Sequence, residues 1–164
     1  MVDAAALVGS RQRVERALAQ CGIAADILEF PQGTRTSAEA AMAIGCEVAQ
    51  IAKSVVLRAK KTEMAIVVIA SGANRVCEKK LAALIGEPVG RADAEFVRAK
   101  TGFAIGGVAP VGHLAEVHLL IDLDLLSIDP LWAAAGTPSS VFRVSAQQLS
   151  ALPGARLADI KVTP

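Results

Sequence analysis

Apolar residues recur along the chain with two different spacings, which together predict a mixture of helices and strands. Helical spacing predicts a first helix over 12–21, with Ser10 as its N-cap, from Val14, Ala17, Leu18 and Cys21. Spacing and capping residues predict further helices that begin at Thr36, span 74–85 and 94–100, and open at Ser145. Strand-forming runs lie at 27–30, 55–57, 65–70, 117–126 and 140–144. Because these elements follow no regular βαβ rhythm, we expect one α+β domain over 1–164, built around a curved mixed sheet.

The predicted strand 117–126 carries three polar side chains on one of its faces. Strict alternation places His118, Asp122 and Asp124 on the same side of this strand. At the rise of a β-strand they spread along roughly 20 Å, which is too far for one metal ion. We therefore interpret them as a solvated face and expect no metal site.

Composition excludes several classes of function. Hydrophobic residues make up 53% of the 164 residues and aromatic residues 3%, which argues against a platform that stacks nucleic-acid bases. The formal net charge of +1 is too small for a protein that grips a long duplex. The apolar run 64–70 is far shorter than the roughly 20 residues of a membrane-spanning helix, so we expect no membrane association. Three cysteines without a CxxC pair fit a reducing cytoplasm.

A glycine-rich segment, 105–113, is the strongest local signal for a binding site. It holds three glycines and one proline, and its first part has the form G-x-x-x-P from Gly106 to Pro110. Successive backbone amides in such a turn can bind an anion or stabilise a tetrahedral oxyanion. The spacing matches neither a P-loop nor a dinucleotide-binding fingerprint. An ordinary tight connection between a helix and a strand remains the structural alternative.

Two single side chains are further candidates, each with a structural alternative. Lys53 stands at the start of an apolar strand, where it can point into the mouth of a pocket or simply face solvent. His113 is the last residue of the glycine-rich segment, where it can orient water or merely fix its own turn. The chain has no G-x-S-x-G or H-E-x-x-H motif and no cysteine pair with zinc spacing. A hydrolase with this sequence would therefore use an activated water or a group of the substrate.

Six segments, in this order and spacing, resemble the YbaK/EbsC family of prolyl-tRNA-synthetase-associated editing domains. The segments are TSAEAA (36–41), IAKSVVL (51–57), ASGANRV (70–76), GGVAPVGH (106–113), IDLDLL (121–126) and AAGT (134–137). The resemblance extends from about Ile27 to Leu152. It implies a compact α+β domain with a curved, barrel-like mixed β-sheet and flanking helices. It also implies a cytoplasmic hydrolase, without a cofactor, that removes wrongly attached amino acids from tRNA.

The resemblance also assigns roles to residues. The family's key lysine falls on Lys53, and its G-x-x-x-P loop supplies the remaining catalytic candidates, Gly106, Gly107, Val108, Ala109 and Pro110. The candidate substrate-contacting residues are Phe30, Ser54, Ser71, Gly72, His113 and Gly136. Ala73 replaces an acidic residue common in the family, so this position receives no role.

The implied substrate is an aminoacyl ester at the acceptor end of tRNA, in particular tRNA for proline that carries alanine, cysteine or another small amino acid. The loop amides would stabilise the oxyanion, and Lys53 would position the terminal phosphate or the ester. Prolyl-tRNA synthetase is the candidate protein partner, and a homodimer remains open. Two alternatives remain: a non-catalytic tRNA- or nucleotide-binding or regulatory module, and an unrelated esterase of small molecules.

Overall fold

The computed structural model describes residues 4–24, 26–31 and 33–163. Within these ranges the helices are α1 (Ala4–Gln20), α2 (Ser37–Ile44), α3 (Glu78–Ile85), α4 (Ala94–Thr101) and α5 (Ala146–Ser150). The strands are β1 (Ile27–Glu29), β2 (Ile51–Ala59), β3 (Ala65–Ser71), β4 (Val89–Arg91), β5 (Val117–Asp122), β6 (Leu131–Ala134), β7 (Ser140–Val144) and β8 (Ala155–Ala158). Two 3₁₀ helices span Val48–Gln50 and Leu123–Ser127. None of the helices in the described ranges is long and apolar enough to cross a membrane.

The eight strands form one mixed sheet, which confirms the predicted α+β class. Its order is β1-β7-β6-β2-β3-β5-β8, and β4 pairs with the far end of β2. The predicted hairpin is present as the antiparallel pair β2–β3, whereas β3–β5, β5–β8 and β2–β6 are parallel. The sheet curves without closing, because β1 and β8 remain as its two edges.

The central strand β3 is buried on both faces, and each face supports its own apolar cluster. All seven residues of β3 are buried, as expected for a strand covered on both sides. On one face Val67 and Ile69 pack in a large cluster with Phe103 and Phe142. On the other face a smaller cluster joins β3 to helix α3, and its buried members are Leu57, Ala59, Ile66, Val68, Ala70, Leu81, Leu120, Ala158 and Ile160. The neighbouring strand β2 lies between β3 and the candidate site.

Local capping signals are confirmed at three helices. Thr36 caps α2 by accepting from the Glu39 amide at 3.1 Å, and Asp93 caps α4 by accepting from Phe96 at 2.8 Å. Ser145 forms the capping box of α5. These interactions involve residues only three positions apart, and they are therefore readable from sequence.

Three boundaries and three short strands differ from the sequence-based expectation. Ser10 lies inside α1 and does not cap it. Helix α3 begins at Glu78, because Asn74 instead closes a turn onto the Ser71 carbonyl at 2.9 Å. The predicted strand 117–126 ends at Asp122, where the Asp122 side chain accepts from the Asp124 amide and starts a 3₁₀ helix. In addition, strands β4, β6 and β8, of three or four residues each, were not predicted.

Substitution of Gly9 by alanine is expected to stabilise the protein by about 1 kcal/mol, because glycine is a poor residue in the interior of a helix. Gly9 is exposed in α1, and a Cβ atom there would meet no atom within 4 Å. Gly45 is the matched control, because its surroundings are equally open but its φ is 83°. We expect Gly45→Ala to lower the melting temperature and Gly9→Ala to raise it in thermal unfolding followed by circular dichroism. A decrease for Gly9→Ala would contradict this interpretation of α1.

Candidate functional site

A cleft of about 270 Å³ opens at the edge of β2. Strand β6 pairs with β2 only at Ile51 and Ala52, and β4 joins the same edge only from Leu57 onward. Between these points the edge of β2 is left open, and the cleft occupies this part of the molecule. Its walls come from the residues before and within α2, from β2, from the glycine-rich loop, and from β6, β7 and the loop between them. The lining residues are Thr34, Arg35, Thr36, Ser37, Ala40, Ile51, Ala52, Lys53, Ser54, Ile105, Gly106, Val108, Trp132, Ala134, Pro138, Ser140 and Val141.

Lys53 and the glycine-rich loop meet in this cleft. Lys53 is half-buried on β2, and Gly106 and Val108 lie in the wall formed by the loop. Burial lowers the pKa of the Lys53 ammonium, and the charge of Asp122 acts in the opposite direction. The cleft therefore brings a partly desolvated cation close to backbone amides, an arrangement suited to an anionic or ester ligand.

Ser54 lies next to Lys53 on β2 and also lines the cleft. Its Oγ atom is buried, and it has no hydrogen-bond partner among the described residues. Buried hydroxyls in folded proteins nearly always have a partner, so this unpaired hydroxyl is an exception. The assignment of Ser54 as a substrate contact stays a prediction.

The five residues of the G-x-x-x-P loop occupy different positions relative to the cleft. The Gly107 amide donates to the Ala104 carbonyl at 2.9 Å, so it is already engaged in the turn. Gly106 and Val108 line the cleft, and their amides donate to no acceptor in the described part of the chain. Ala109 and Pro110 are buried behind this wall, and Pro110 has no amide proton. Gly107 and Pro110 therefore offer no free amide donor to a ligand.

Gly107 has a steric role in place of a donating one. A Cβ atom at this position would lie 2.7 Å from the Thr137 carbonyl carbon and 3.0 Å from the Pro138 nitrogen. Such contacts are far below ordinary van der Waals separation, so only glycine lets the loop lie this close to the neighbouring backbone. The close approach sets the position of Gly106 and Val108 on the wall of the cleft.

His113 lies outside the cleft, contrary to its assignment as a substrate contact. Its Nε2 atom is hydrogen-bonded to the Ala109 carbonyl at 2.7 Å, and its ring meets the edge of Phe103. Burial lowers the pKa of His113, and the nearby Arg13 charge adds to that effect. The ring lines a separate cavity on the far side of the loop. The structural alternative, in which this histidine fixes its own turn, describes the observed geometry.

Four other predicted contacts also lie outside the lining of the cleft. Ser71 donates its hydroxyl to the Ala49 carbonyl at 2.8 Å, and the Gly72 amide donates to Ile51 at 2.7 Å. These bonds fix the chain at the start of β2. Phe30 and Gly136 make structural contacts elsewhere. The Phe30 amide donates to the Ser139 carbonyl at 2.7 Å, and Gly136 packs against the backbone of Ser10 in α1.

Trp132 and Arg35 also line the cleft, although neither is a candidate site residue from the sequence. Trp132 is the single tryptophan of the chain and packs beside α2, where it contacts the cluster around Ile51. Arg35 directly precedes the Thr36 cap of α2. The isolated tryptophan in a chain with so few aromatic residues was the available signal, but its short strand was not recognised.

The interpretation of the His118, Asp122 and Asp124 face as solvated is wrong at Asp122. Its side chain is 1% exposed and is therefore buried, not solvated. Oδ2 accepts from the Ser71 amide at 3.0 Å and from Asn74 Nδ2 at 2.8 Å, while Oδ1 accepts from the Asp124 amide at 3.0 Å. Over the described ranges, no three histidine, cysteine or acidic side chains come together as metal ligands.

Comparison with known proteins places this geometry in a family. The family model described as an aminoacyl-tRNA editing domain matches residues 31–152. A crystal structure described as "a putative trans-editing enzyme for prolyl tRNA synthetase" is 44% identical, with a TM-score of 0.87, over 94% of this chain and 98% of that one. The hypothetical protein APE2540 is 29% identical, with a TM-score of 0.84, over 92% of this chain and 99% of that one.

One relative of known sequence is similar to most of the chain. The uncharacterized protein YwhH of Bacillus subtilis (strain 168) is 28% identical over 125 residues, which is 76% of this chain and 79% of YwhH. The family match covers most of the chain and includes the Lys53 strand, the glycine-rich loop and the other walls of the cleft. The resemblance inferred from the six sequence segments is therefore confirmed, and the chain belongs to the aminoacyl-tRNA editing domain family.

Proposed function

We propose that this protein is a free-standing trans-editing deacylase, which hydrolyses the ester bond of mischarged tRNA. The favoured substrate is tRNA for proline that carries alanine, cysteine or another small amino acid. The observation that supports it best is that Lys53 and the glycine-rich loop line one small cleft, and that the amides of Gly106 and Val108 in this loop have no acceptor among the described residues. The similarity to a structure described as a trans-editing enzyme for prolyl tRNA synthetase adds to this support.

The size and polarity of the cleft fit the end of an aminoacyl-tRNA. A volume of about 270 Å³ is at the small end of ligand sites, so it suits a small aminoacyl group and the ester next to it. Lys53 would bind the terminal phosphate or the ester, with Arg35 as a second cation in the wall. The Gly106 and Val108 amides would donate to the oxyanion of the tetrahedral intermediate; one such donor lowers a barrier by about 3 kcal/mol.

The chemistry of the lining points to assistance by the substrate. Among the described residues that line the cleft there is no histidine, cysteine, aspartate or glutamate, and hence no evident general base. A water activated by the free ribose hydroxyl of the substrate, or the thiol of a cysteinyl substrate itself, would supply the nucleophile. The protein would contribute position and charge stabilisation, without a covalent enzyme intermediate.

Selection among amino acids would come mainly from the walls of the cleft. Steric exclusion of larger side chains is feasible in a cleft of this size, whereas a single methylene group changes affinity by only about 1–3 kcal/mol. With a net charge of +1, the protein would hold only the acceptor end of the tRNA, beside prolyl-tRNA synthetase in the cytoplasm.

Deacylation of a panel of alanyl-, cysteinyl-, seryl- and prolyl-tRNA tests the proposal. We expect rapid hydrolysis of at least one small mischarged aminoacyl-tRNA and little hydrolysis of the others. The fluorescence of Trp132, the single tryptophan, reports binding in the cleft separately from hydrolysis. A fluorescence change without hydrolysis of any substrate would favour the non-catalytic module, and turnover of simple esters independent of tRNA would favour a small-molecule esterase.

A further inference from the structure

Asp122 is a buried carboxylate at the end of β5, and only β3 separates this strand from β2, which carries Lys53. Three donors hold it in place, namely the backbone amides of Ser71 and Asp124 and the side-chain amide of Asn74. Because donors occupy both oxygens, this carboxylate has a fixed position and a fixed orientation. The proposed chemistry of the cleft does not use it directly, since Asp122 does not line the cleft.

The strand register brings Asp122 and Lys53 onto the same row of the sheet. Lys53 pairs with Ala70 across β2 and β3, and the parallel register of β3 and β5 ends at Ile69 and Ile121, so that Asp122 follows beside Ala70. Neighbouring strands lie about 4.8 Å apart, so the Cα atoms of Lys53 and Asp122 are separated by about 10 Å.

Both side chains project from the same face of this row. Val55, two residues after Lys53, and Leu120, two residues before Asp122, belong to the same apolar cluster as Ala70. Side chains two apart on a strand share a face, so Lys53 and Asp122 both flank the methyl group of Ala70. This small side chain leaves space for the flexible stem of the lysine to lean toward the carboxylate.

We propose that Asp122 is a positioning residue for Lys53: its fixed carboxylate attracts the ammonium group across Ala70 and holds it, charged, at the wall of the cleft. The other charges nearby do not substitute for it. Arg35, which also lines the cleft, is itself a cation. The charge of Asp124 is balanced by Lys161 at 2.7 Å, and the same lysine also interacts at longer range with Asp122. On β3, β6 and the glycine-rich loop, the residues that line the cleft or flank Lys53 carry no charge.

This positioning has a measurable consequence for Lys53. Burial lowers the pKa of its ammonium group, and the Asp122 charge opposes that decrease. Removal of the carboxylate would therefore lower the pKa further and leave a larger neutral fraction at any given alkaline pH. The importance of that change for turnover rests on the proposed function, but the change itself does not.

The test uses two variants of the full chain, Asp122→Asn and Asp122→Ser, which remove the charge with different losses of hydrogen bonding. Competitive acetylation with acetic anhydride over a pH series, read by mass spectrometry of the Lys53 peptide, gives the protonation midpoint of this residue. We expect the protonation midpoint of Lys53 to fall by about one pH unit in both variants. This is the size of effect expected when one charge is removed near a partly buried group. Thermal unfolding identifies the variants that are folded.

Asp124→Asn is the matched control, because it makes the same chemical change two residues away in the same hydrogen-bonded network. We expect this variant to leave the Lys53 midpoint nearly unchanged, since Lys161 already balances Asp124. An unchanged midpoint in a folded Asp122 variant, or an equal fall in Asp124→Asn, overturns the proposal.

The two proposals fail in distinguishable ways. If the midpoint falls but the wild-type protein deacylates nothing, the positioning role stands and the deacylase function fails. If the wild-type protein deacylates tRNA, the deacylation rate should begin to fall at a lower alkaline pH in the Asp122 variants. This shift of the pH–rate profile should match the shift of the Lys53 midpoint. If the variants deacylate tRNA and neither the pH–rate profile nor the Lys53 midpoint changes, the deacylase function stands and the proposed role of Asp122 is wrong.

Discussion

Replacement of Lys53 by alanine is expected to slow the deacylation of mischarged tRNA by about 100-fold or more, the size of effect measured when one preorganised stabilising group is lost from an active site. Lys53 and Arg35 are the cationic side chains among the described residues that line the cleft, and Lys53 stands on the strand next to the loop amides. Single-turnover hydrolysis of the best substrate from the tRNA panel gives the rate. Lys79→Ala, on the exposed surface of α3, is the control for a general loss of positive charge.

The same substitution should leave the protein folded. Burial lowers the pKa of Lys53 in the folded state, so folding disfavours its protonated form and the charged group costs stability at neutral pH. That cost is largest below the lowered pKa, and it disappears as pH rises above the ordinary value. The melting temperature of Lys53→Ala at neutral pH should therefore equal or exceed that of the wild type. Full deacylation by a folded Lys53→Ala protein would refute the role assigned to this residue.

Features set by neighbouring residues were readable from the sequence. Thr36 and Asp93 cap helices through bonds to amides three residues away, and Gly45 and Gly102 end the same helices in the left-handed conformation. Such signals need no knowledge of the fold. The apolar run of β3 likewise indicated a strand from its own residues.

Features set by distant contacts were not readable in this way. The alternation around Asp122 suggested a solvated face, yet Ser71 and Asn74, about 50 residues earlier, supply the donors that bury it. Similarly, His113 is next to the correct loop in sequence but turns toward its far side, because Ala109 provides a carbonyl there. Local pattern identifies such residues as unusual, whereas only the tertiary fold decides which surface they face.

The candidate site combines features that are readable from neighbouring residues with features that depend on distant contacts. Lys53 and the G-x-x-x-P loop were each conspicuous in the sequence, but about 50 residues separate them, and the cleft that joins them depends on where β6 leaves β2. Trp132 was not identified, because the four residues of β6 are too short for a periodic signal. The most specific part of the site therefore depends on a strand that the sequence pattern could not predict.

Substitution of Gly107 by valine is expected to reduce deacylation by about 100-fold and to destabilise the protein by about 1–3 kcal/mol. A Cβ atom at this position would stand 2.7 Å and 2.8 Å from two backbone atoms of Thr137, and backbone cannot rotate aside as a flexible side chain can. The loop must therefore lift away from the 137–138 segment. Gly106 and Val108, on either side, would move with it, and their amides would no longer point to the position of the oxyanion.

Separate measurements of the hydrolysis rate and of tRNA binding distinguish displaced loop amides from an unfolded Gly107→Val protein. Displaced amides should lower the single-turnover rate far more than they weaken the binding measured by Trp132 fluorescence, because oxyanion contacts form fully only in the transition state. Gly33→Ala is the matched control, since its Cβ atom would lie 3.7 Å from Pro138, at ordinary contact distance. It should retain wild-type rates. A folded Gly107→Val protein with an unchanged rate would mean that the loop amides do not act on the reacting ester, and catalysis would then have to rest on the cations of the cleft alone.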